Sequence, residues 1–412
     1  MQKSTELLGI RSKFTPFLRT VLVQHTTGSP IVKPTNTTHE VATSGVTDSK
    51  LKMGGWQVHS YGELEELQYS ENLKMPQIRC ANECLVKVKT TTVNPIDVAM
   101  LKGYGAKVLN AMRFNATDIE FPLTFGREFC GTLEQRGMGV SSKISLGDRV
   151  WGVVPVQAAG AHAEYVAVPD YCLSRAPSAL SNEEAAAVLY AGLTAWSGLY
   201  ITGHLGGLCG AVTSSGGGSG KRVLVLGGSG AVGSLAVQIL KSQGAQVLAT
   251  CSEDAVSMVR NLGADLVVDY KNPVEMETLR NYTPYDIVLD CAGQGAQHAD
   301  ILNLTFNQYI TFSSPFLRNI DNSGLGLGLV KNIADLLETN VRSFSNKRGC
   351  VKWGFFAPAP QGIEFLKKLV ERKKLLPSID STFEFKKMPE AFKRVQEGHL
   401  RGKVVVNVSA PN

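Results

Sequence analysis

The stretch VLVLGGSGAVGSLAVQILKSQGA, Val223 to Ala245, joins a strand-like apolar run to a helical one through a burst of glycine. Gly228-Ser229-Gly230-Ala231-Val232-Gly233 fits the spacing G-x-G-x-x-G. Val232, Leu235, Ala236, Ile239 and Leu240 then fall at i, i+3, i+4, i+7 and i+8, the stripe by which a helix lies on a sheet. A glycine turn between strand and helix offers free backbone N–H groups to an anion. It also lets the backbone approach a pyrophosphate and packs the helix closely on its strand. In this context the pattern reads as a dinucleotide-binding fingerprint.

Working outward, KRVLVLG, QVLATC, DLVVDY, YDIVLDC and QYITFS alternate with helical stretches such as EDAVSMVRNLG. Strands alternating with helices at this spacing predict βαβ units and a parallel sheet. Upstream, from Trp56 to Pro169, CLVKVKTTTVN, DRVWGVVPV and HAEYVAV are short β-type runs between Gly, Pro and Asp turns, which suggests a compact β-domain. Downstream, VKWGFFAP reads as a strand, IEFLKKLVERKKL as a helix, and the segment ending in GKVVVNV as strand, helix, strand. The β-domain therefore resumes after the nucleotide domain, which is inserted in it. The expected division is a leader over 1–50, the β-rich domain over 51–188, the nucleotide domain over 189–377 and the closing part of the β-domain over 378–412. The Gly/Ser-rich stretch 203–220 is expected to be a surface loop.

The 412 residues, 43% apolar and 19% charged, suffice for about two domains. The net charge of +6 does not indicate a nucleic-acid face. Residues 1–39 hold five basic residues against Glu6, a net +4, so little is left for the rest. That leader is Ser/Thr-rich and acid-poor, and LLGIRSKFTPFLRTVLV can be amphipathic, the pattern of a mitochondrial transit peptide. No apolar run approaches the ~20 residues that cross a bilayer, so a soluble mature protein is expected. The eight cysteines include no C-x-x-C pair, which argues against a structural zinc or a disulfide framework.

The residue after the second strand decides between the two common dinucleotides. An Asp or Glu there takes a ribose 2′-hydroxyl and repels a 2′-phosphate. QVLAT ends instead in Cys251-Ser252, and Glu253 and Asp254 read as the start of a helix, where acids favour the dipole. Ser252 can donate to a phosphate, and Tyr270, at the end of the third strand, is a second hydroxyl or an ordinary strand-end tyrosine. NADPH is the expected cofactor.

VNPIDVAMLKGYG, FPLTFGREFCG, GDRVWGVVP, AEYVAVPD, EEAAAVLYAGLTAW and GGSGAVG, in that order, resemble the zinc-free quinone oxidoreductase branch of the medium-chain dehydrogenases/reductases. VVDYKN, SSPFL, WGFF and GHLRGKVVVNV extend the resemblance, from about residue 53 to 408. It implies a GroES-like β-rich catalytic domain beside a Rossmann-type doubly wound parallel sheet, with the active site between them. Where zinc-dependent relatives place a ligating His, this chain has Arg127, in Gly126-Arg127-Glu128. Where they place a Cys, it has the run Asn94-Pro95-Ile96-Asp97. Arginine cannot ligate zinc, so a metal-free site is expected.

The resemblance puts Ser229, Ala231 and Val232, between Gly230 and Gly233, at the pyrophosphate, and Ser252 and Tyr270 at the 2′-phosphate. Phe316, Leu317 and Phe355 fall near the nicotinamide, with plain core packing as the other reading of the two phenylalanines. His399 and Arg401 reach back toward the cofactor or are solvated. Many quinone reductases carry a Lys three residues after the Ser; here that position is Ala255. The resemblance also implies a quinone-like small-molecule substrate, a role in the mitochondrial matrix with ubiquinone-biosynthesis enzymes, a reticulon as protein partner, and a homodimer.

The expected chemistry is direct hydride transfer to a quinone, with the protein orienting the reactants and excluding water. Asn94 or Tyr104 is the expected donor to the acceptor oxygen, where negative charge develops. Asp97 lines the same segment, or is a turn acid. Tyr190 and Thr194 read as helix-packing residues. Two other readings stay open: a 2-enoyl thioester reductase with Tyr104 as proton donor, and a non-catalytic NADPH-binding regulator or scaffold.

Overall fold

A computed structural model describes residues 52–113, 120–207, 210 and 217–409. The leader expected over 1–50 and the loop positions 208, 209 and 211–216 lie outside the described residues. Strands β1 (Lys52–Gln57) and β2 (Gln68–Lys74) form an antiparallel hairpin. It joins the catalytic domain through the bridges Gly55 to Ala163 and Val58 to Leu123.

Strands β3 (Glu83–Val93), β4 (Glu128–Arg136), β5 (Arg149–Val153), β6 (Tyr165–Pro169) and β7 (Leu173–Arg175) make most of the first large sheet. Their alternation sends Cys84, Val86, Val88, Phe129 and Val150 into one core. The chain then leaves through a nearly continuous helical stretch, Asn182–Thr202. It is long and apolar enough to cross a membrane, but 83% of its most apolar window is buried inside the fold. It is a core element: Leu193 and Trp196 press on Gly362, where an added Cβ would lie 2.6 Å from the Leu193 side chain. Each such fully buried large apolar side chain contributes about 1.5–3 kcal/mol.

The second sheet is all parallel: β8 (Arg222–Leu226), β9 (Gln246–Cys251), β10 (Leu266–Asp269), β11 (Tyr285–Asp290), β12 (Phe306–Thr311) and β13 (Cys350–Trp353). Their spatial order, β10-β9-β8-β11-β12-β13, is the 3-2-1-4-5-6 order of the Rossmann fold. Each strand predicted from the alternating runs is present. Between β12 and β13 runs the helix Phe316–Ser345, broken at Gly324 (φ 77°) into two packed halves. The first sheet then resumes. Strand β14 (Ile379–Glu384), the helix Met388–Glu397 and strand β15 (Lys403–Asn407) follow, with β15 antiparallel to β3. The order of strands in that sheet is β14-β15-β3-β4-β5-β7, with β6 on β3.

Candidate functional site

The glycine loop leaves the C-terminal end of β8, beside the point where strand order reverses between β8 and β11, the place where such sheets bind ligands. Gly227 has φ 79°, which opens the turn. A Cβ on Gly233 would lie 2.1 Å from the Gly227 carbonyl, and one on Gly228 would be 3.0 Å from Ala249 and Val259. Those two glycines are demanded by packing. Gly230 differs: its nearest neighbour to an added Cβ is 3.7 Å away, so its side is open. It caps the helix Ala231–Ser242, whose first amides, those of Ala231, Val232 and Gly233, have no partner within the helix. The loop is a cradle that fits a pyrophosphate.

Beside it lies a polar pocket built around Arg401. The Arg401 guanidinium donates to Ser252 Oγ at 2.7 Å, to Ser229 Oγ at 3.3 Å and to Asp254 Oδ2 at 2.7 Å. Ser252 in turn donates to Asp254 Oδ1 at 2.6 Å. The bonds from Ser252 and Arg401 hold the Asp254 carboxyl down to about 2. Tyr270 comes to the same edge, its N–H donating to the Cys251 carbonyl at 3.0 Å, and its ring is half exposed. Arg401 sits in the turn Gly398–Gly402, where His399 takes φ 50°. Asp380 fixes this turn: it accepts the Arg401 N–H at 2.9 Å and holds Arg394 through two bonds at 2.9 Å. The His399 side chain is exposed.

The floor of the cleft is a buried polar cluster that local sequence reading missed. Lys403, 3% exposed, donates to Glu128 Oε1 at 2.5 Å and to Asn94 Oδ1. Glu128 also accepts from Thr92 Oγ1 at 2.6 Å and, through its other oxygen, from the Tyr190 N–H at 2.7 Å. The Asn94 amide gives its hydrogens to Thr92 at 3.2 Å and Glu128 at 3.4 Å. Asp97 accepts from the Asn94 and Gly126 N–H groups, both at 2.9 Å. Asn94, expected as a donor to the acceptor, has its amide committed within the protein, and Asp97 is the turn acid of the capping box. The signal was not local: Lys403 is 309 residues from Asn94.

Arg127 is 1% exposed. Its guanidinium donates to the carbonyls of Pro155, Val156, Ala158 and Thr124 at 2.9–3.2 Å and stands 3.6 Å from Asp97. Above this floor the Tyr190 ring stacks on Phe356, centroids 4.3 Å apart, and Thr194 donates to the Tyr190 carbonyl at 2.7 Å. Ser197 donates to the Phe355 carbonyl. On the opposite side Leu317 lies against Gly105, whose N–H donates to Asp321 at 2.6 Å. Tyr104 is thereby brought beside the first turns of the helix Phe316–Ser345. Burial first, then Asp321, raises its hydroxyl pKa, against the pull of Arg318. That hydroxyl has no partner among the described residues.

The alcohol dehydrogenase GroES-like domain family matches residues 80–178, and the zinc-binding dehydrogenase family matches residues 262–406. A zinc ion does not fit the donors present. The carbonyls that converge beside Asp97 are taken by a permanent cation, and no three His, Cys, Asp or Glu side chains cluster among the described residues. The quinone oxidoreductase of Coxiella burnetii superposes with a TM-score of 0.67 at 24% identity, covering 87% of this chain and all of that one, which supports the fold. The mitochondrial NAD(P)H oxidoreductase RTN4IP1 of Homo sapiens is 38% identical over 86% of this chain and 89% of its own length. That of Drosophila melanogaster is 66% identical over 90% of each. With the two-domain fold and the glycine cradle already in place, this similarity makes the chain a member of the RTN4IP1 family of NAD(P)H oxidoreductases, within the medium-chain dehydrogenases/reductases.

Proposed function

We propose that the chain is an NADPH-dependent, metal-free reductase of a quinone-type acceptor in the mitochondrial matrix, with a role in ubiquinone biosynthesis. The observation that carries the cofactor choice is the pocket of Ser229, Ser252 and Arg401 at the end of the second nucleotide-domain strand. A guanidinium and two hydroxyls suit a 2′-phosphate, for which Arg gives charge-assisted bonds. Arg401 supplies the charge that Ala255 does not. Mitochondrial relatives and the amphipathic leader support the location.

When bound, the nicotinamide supplies the hydride. The amides of Ala231, Val232 and Gly233 would hold the pyrophosphate, and Arg401 with Ser252 would hold the adenosine end. Phe316, Leu317 and Phe355 close apolar surface over the reacting end and keep water out. Tyr104 is protonated at neutral pH, as an ordinary phenol is, and burial raises its pKa further. It therefore donates a hydrogen bond to the acceptor oxygen as negative charge gathers there. Asn94 acts one step back, through the Lys403–Glu128 pair that fixes the floor of the cleft.

Calorimetric titration of the purified chain with NADPH and NADH, followed by addition of a short-chain ubiquinone analogue, tests this. Tighter NADPH binding with quinone-dependent oxidation is expected, and Ser252→Asp should reverse the preference by about tenfold or more, since the new acid repels the 2′-phosphate. Oxidation by a 2-enoyl thioester but by no quinone would assign the other reductase chemistry. Binding without any turnover would make the chain a regulator.

A further inference from the structure

Tyr190 is fixed at three points and free at a fourth. It lies in the first turn of the helix Leu189–Trp196, where backbone N–H groups have no partner within the helix, and its own N–H is taken by Glu128 Oε2 at 2.7 Å. Its carbonyl accepts from Thr194 Oγ1 at 2.7 Å, and its ring stacks on Phe356 with 25° between the planes. Leu189 and Ala191 on either side are buried, but Tyr190 is only partly so. Its hydroxyl makes no hydrogen bond with any described residue. Elsewhere the fold settles even its edge groups: on the outer strand β13 the Asn340 side chain donates to the Val351 carbonyl at 3.0 Å and accepts its N–H at 2.9 Å. A tyrosine that served packing alone would do as well without its hydroxyl, and an enclosed phenol ordinarily finds a partner.

The charges around this hydroxyl are those of the cleft floor. Burial first, then Asp97, raises its pKa, against the pull of Arg127 and with Glu128 adding to the rise. A group so enclosed, on a residue still partly open to solvent, stands at the bottom of a cleft. Tyr104 answers to other charges, Arg318 and Asp321 of the helix Phe316–Ser345. The two phenols therefore meet the cleft from different sides. We propose that the Tyr190 hydroxyl is a second catalytic donor, which binds the oxygen of a 1,4-quinone opposite to the one that Tyr104 holds. The proposal rests on the quinone-reductase reading and deepens it, since it fixes the acceptor as one with two oxygens.

The chemistry asks for such a pair. A 1,4-quinone carries an oxygen at each end of one ring, whereas an enoyl thioester presents a single carbonyl oxygen. The quinone takes a hydride, with both its electrons, from the reduced nicotinamide, whose C–H bond breaks and which is left oxidised. The transferred hydrogen completes one hydroxyl of the product, and a solvent proton completes the other. Between these events the product is the monoanion of a hydroquinone, and the charge that arrives is spread through the ring onto both oxygens. Two donors share it better than one. Tyr190 is set in place before the reaction, so it does not have to reorient as the charge grows. The Lys403–Glu128 pair gains a purpose in this arrangement, because Glu128 holds the backbone from which the donor projects.

Steady-state kinetics of the full chain with NADPH and a short-chain ubiquinone analogue, for the wild type and Tyr190→Phe, tests it. Both kcat and kcat/KM should fall by about 100-fold, the loss expected for one donor to a developing oxyanion. Melting temperature and NADPH affinity should not move, because phenylalanine keeps the stack on Phe356 and the backbone bond to Glu128. A second readout needs no turnover. With NADP⁺ bound, the chain should take up the ionised form of 4-nitrophenol, followed by its absorbance, and Tyr190→Phe should weaken that binding by about tenfold. Should the phenylalanine variant fail to fold, 3-fluorotyrosine in place of Tyr190 keeps the ring, is the stronger donor, and should tighten the phenolate instead. Undiminished kcat in Tyr190→Phe overturns the proposal, and so does a phenolate affinity that neither variant moves. Loss of NADPH affinity in place of kcat also overturns it and makes Tyr190 a cofactor contact. A wild type that reduces no quinone ends the reading of function and the proposal together. A wild type that does, matched by Tyr190→Phe, ends the proposal alone.

Discussion

Two arginines stand at opposite ends of the cleft and are used in opposite ways. Arg127 is sealed in the floor, its hydrogen bonds spent on four backbone carbonyls and its charge set against Asp97. Arg401 is about a third exposed and reaches from the catalytic sheet to two serines and an aspartate of the nucleotide domain. The same cation is a structural plug where water is excluded and a ligand-binding group where its partners are exchangeable hydroxyls and a solvated carboxylate. What separates the two roles is burial and the mobility of the acceptors, not residue type.

The contrast can be broken at either end. Arg127→Leu should destabilise the fold by about 3–5 kcal/mol, because Asp97 is left buried without its partner and four carbonyls lose their donor. Calorimetric melting of the unliganded protein measures this, and an unchanged melting temperature would mean that Arg127 is not the plug of this floor. Arg401→Ala should leave melting unchanged but weaken NADPH by about 30-fold, close to the ~2 kcal/mol of a hydrogen bond to a charged group, with little effect on NADH. Equal losses for both cofactors would put Arg401 somewhere other than at the 2′-phosphate.

Asp254→Asn sharpens the comparison. With the carboxylate gone, Arg401 is released and a like charge beside the 2′-phosphate is removed. NADPH affinity should then rise by about three- to tenfold at low salt and by less at high salt, where surface charges are screened. No change in a salt series would show that the pair does not compete with the ligand. The smallest effect belongs to His162, buried in the floor with Nε2 3.0 Å from the Thr92 carbonyl. Burial, the largest cause, pushes its pKa below the ordinary value, so the folded protein keeps it neutral. The unfolded chain takes up a proton near the ordinary imidazole pKa of about 6.5. The unfolded state then binds more protons, and stability falls as pH drops through that range. Denaturant titrations at pH 7 and pH 5 should show this fall, shallower by about 1 kcal/mol in His162→Gln.

The nucleotide sheet was legible because its signals are local. The glycine spacing, the stripe from Val232 to Leu240 and the alternation of strands with helices each lie within a few tens of residues. The position of Ser252 at the end of the second strand was legible too, since the strand run ends at Cys251. The floor of the cleft was not. Asn94 read as a free donor because its local run gives no hint that Lys403 and Glu128 converge on it across two other strands. The partner of Arg401 was hidden for a related reason: Asp254 read as a helix-start acid, and only the return of the chain after Gly398 brings the guanidinium onto it. The long helix after Phe316 shows a third limit. Its apolar residues Val330, Ile333, Leu337, Val341 and Phe344 are spaced three and four apart yet exposed, and the fold buries Asn332 and Ser343 instead.

Asn340 has a consequence for the protein's life outside its function. An open sheet edge is a template on which further strands, from this chain or another, can add and begin an aggregate. By taking both the donor and the acceptor of Val351, the Asn340 amide does for the edge what a neighbouring strand would do, at the cost of one side chain. The residue is therefore an end-stop for sheet growth. Its loss would be felt as a shorter lifetime of the pure protein in concentrated solution, well before any catalytic property changed.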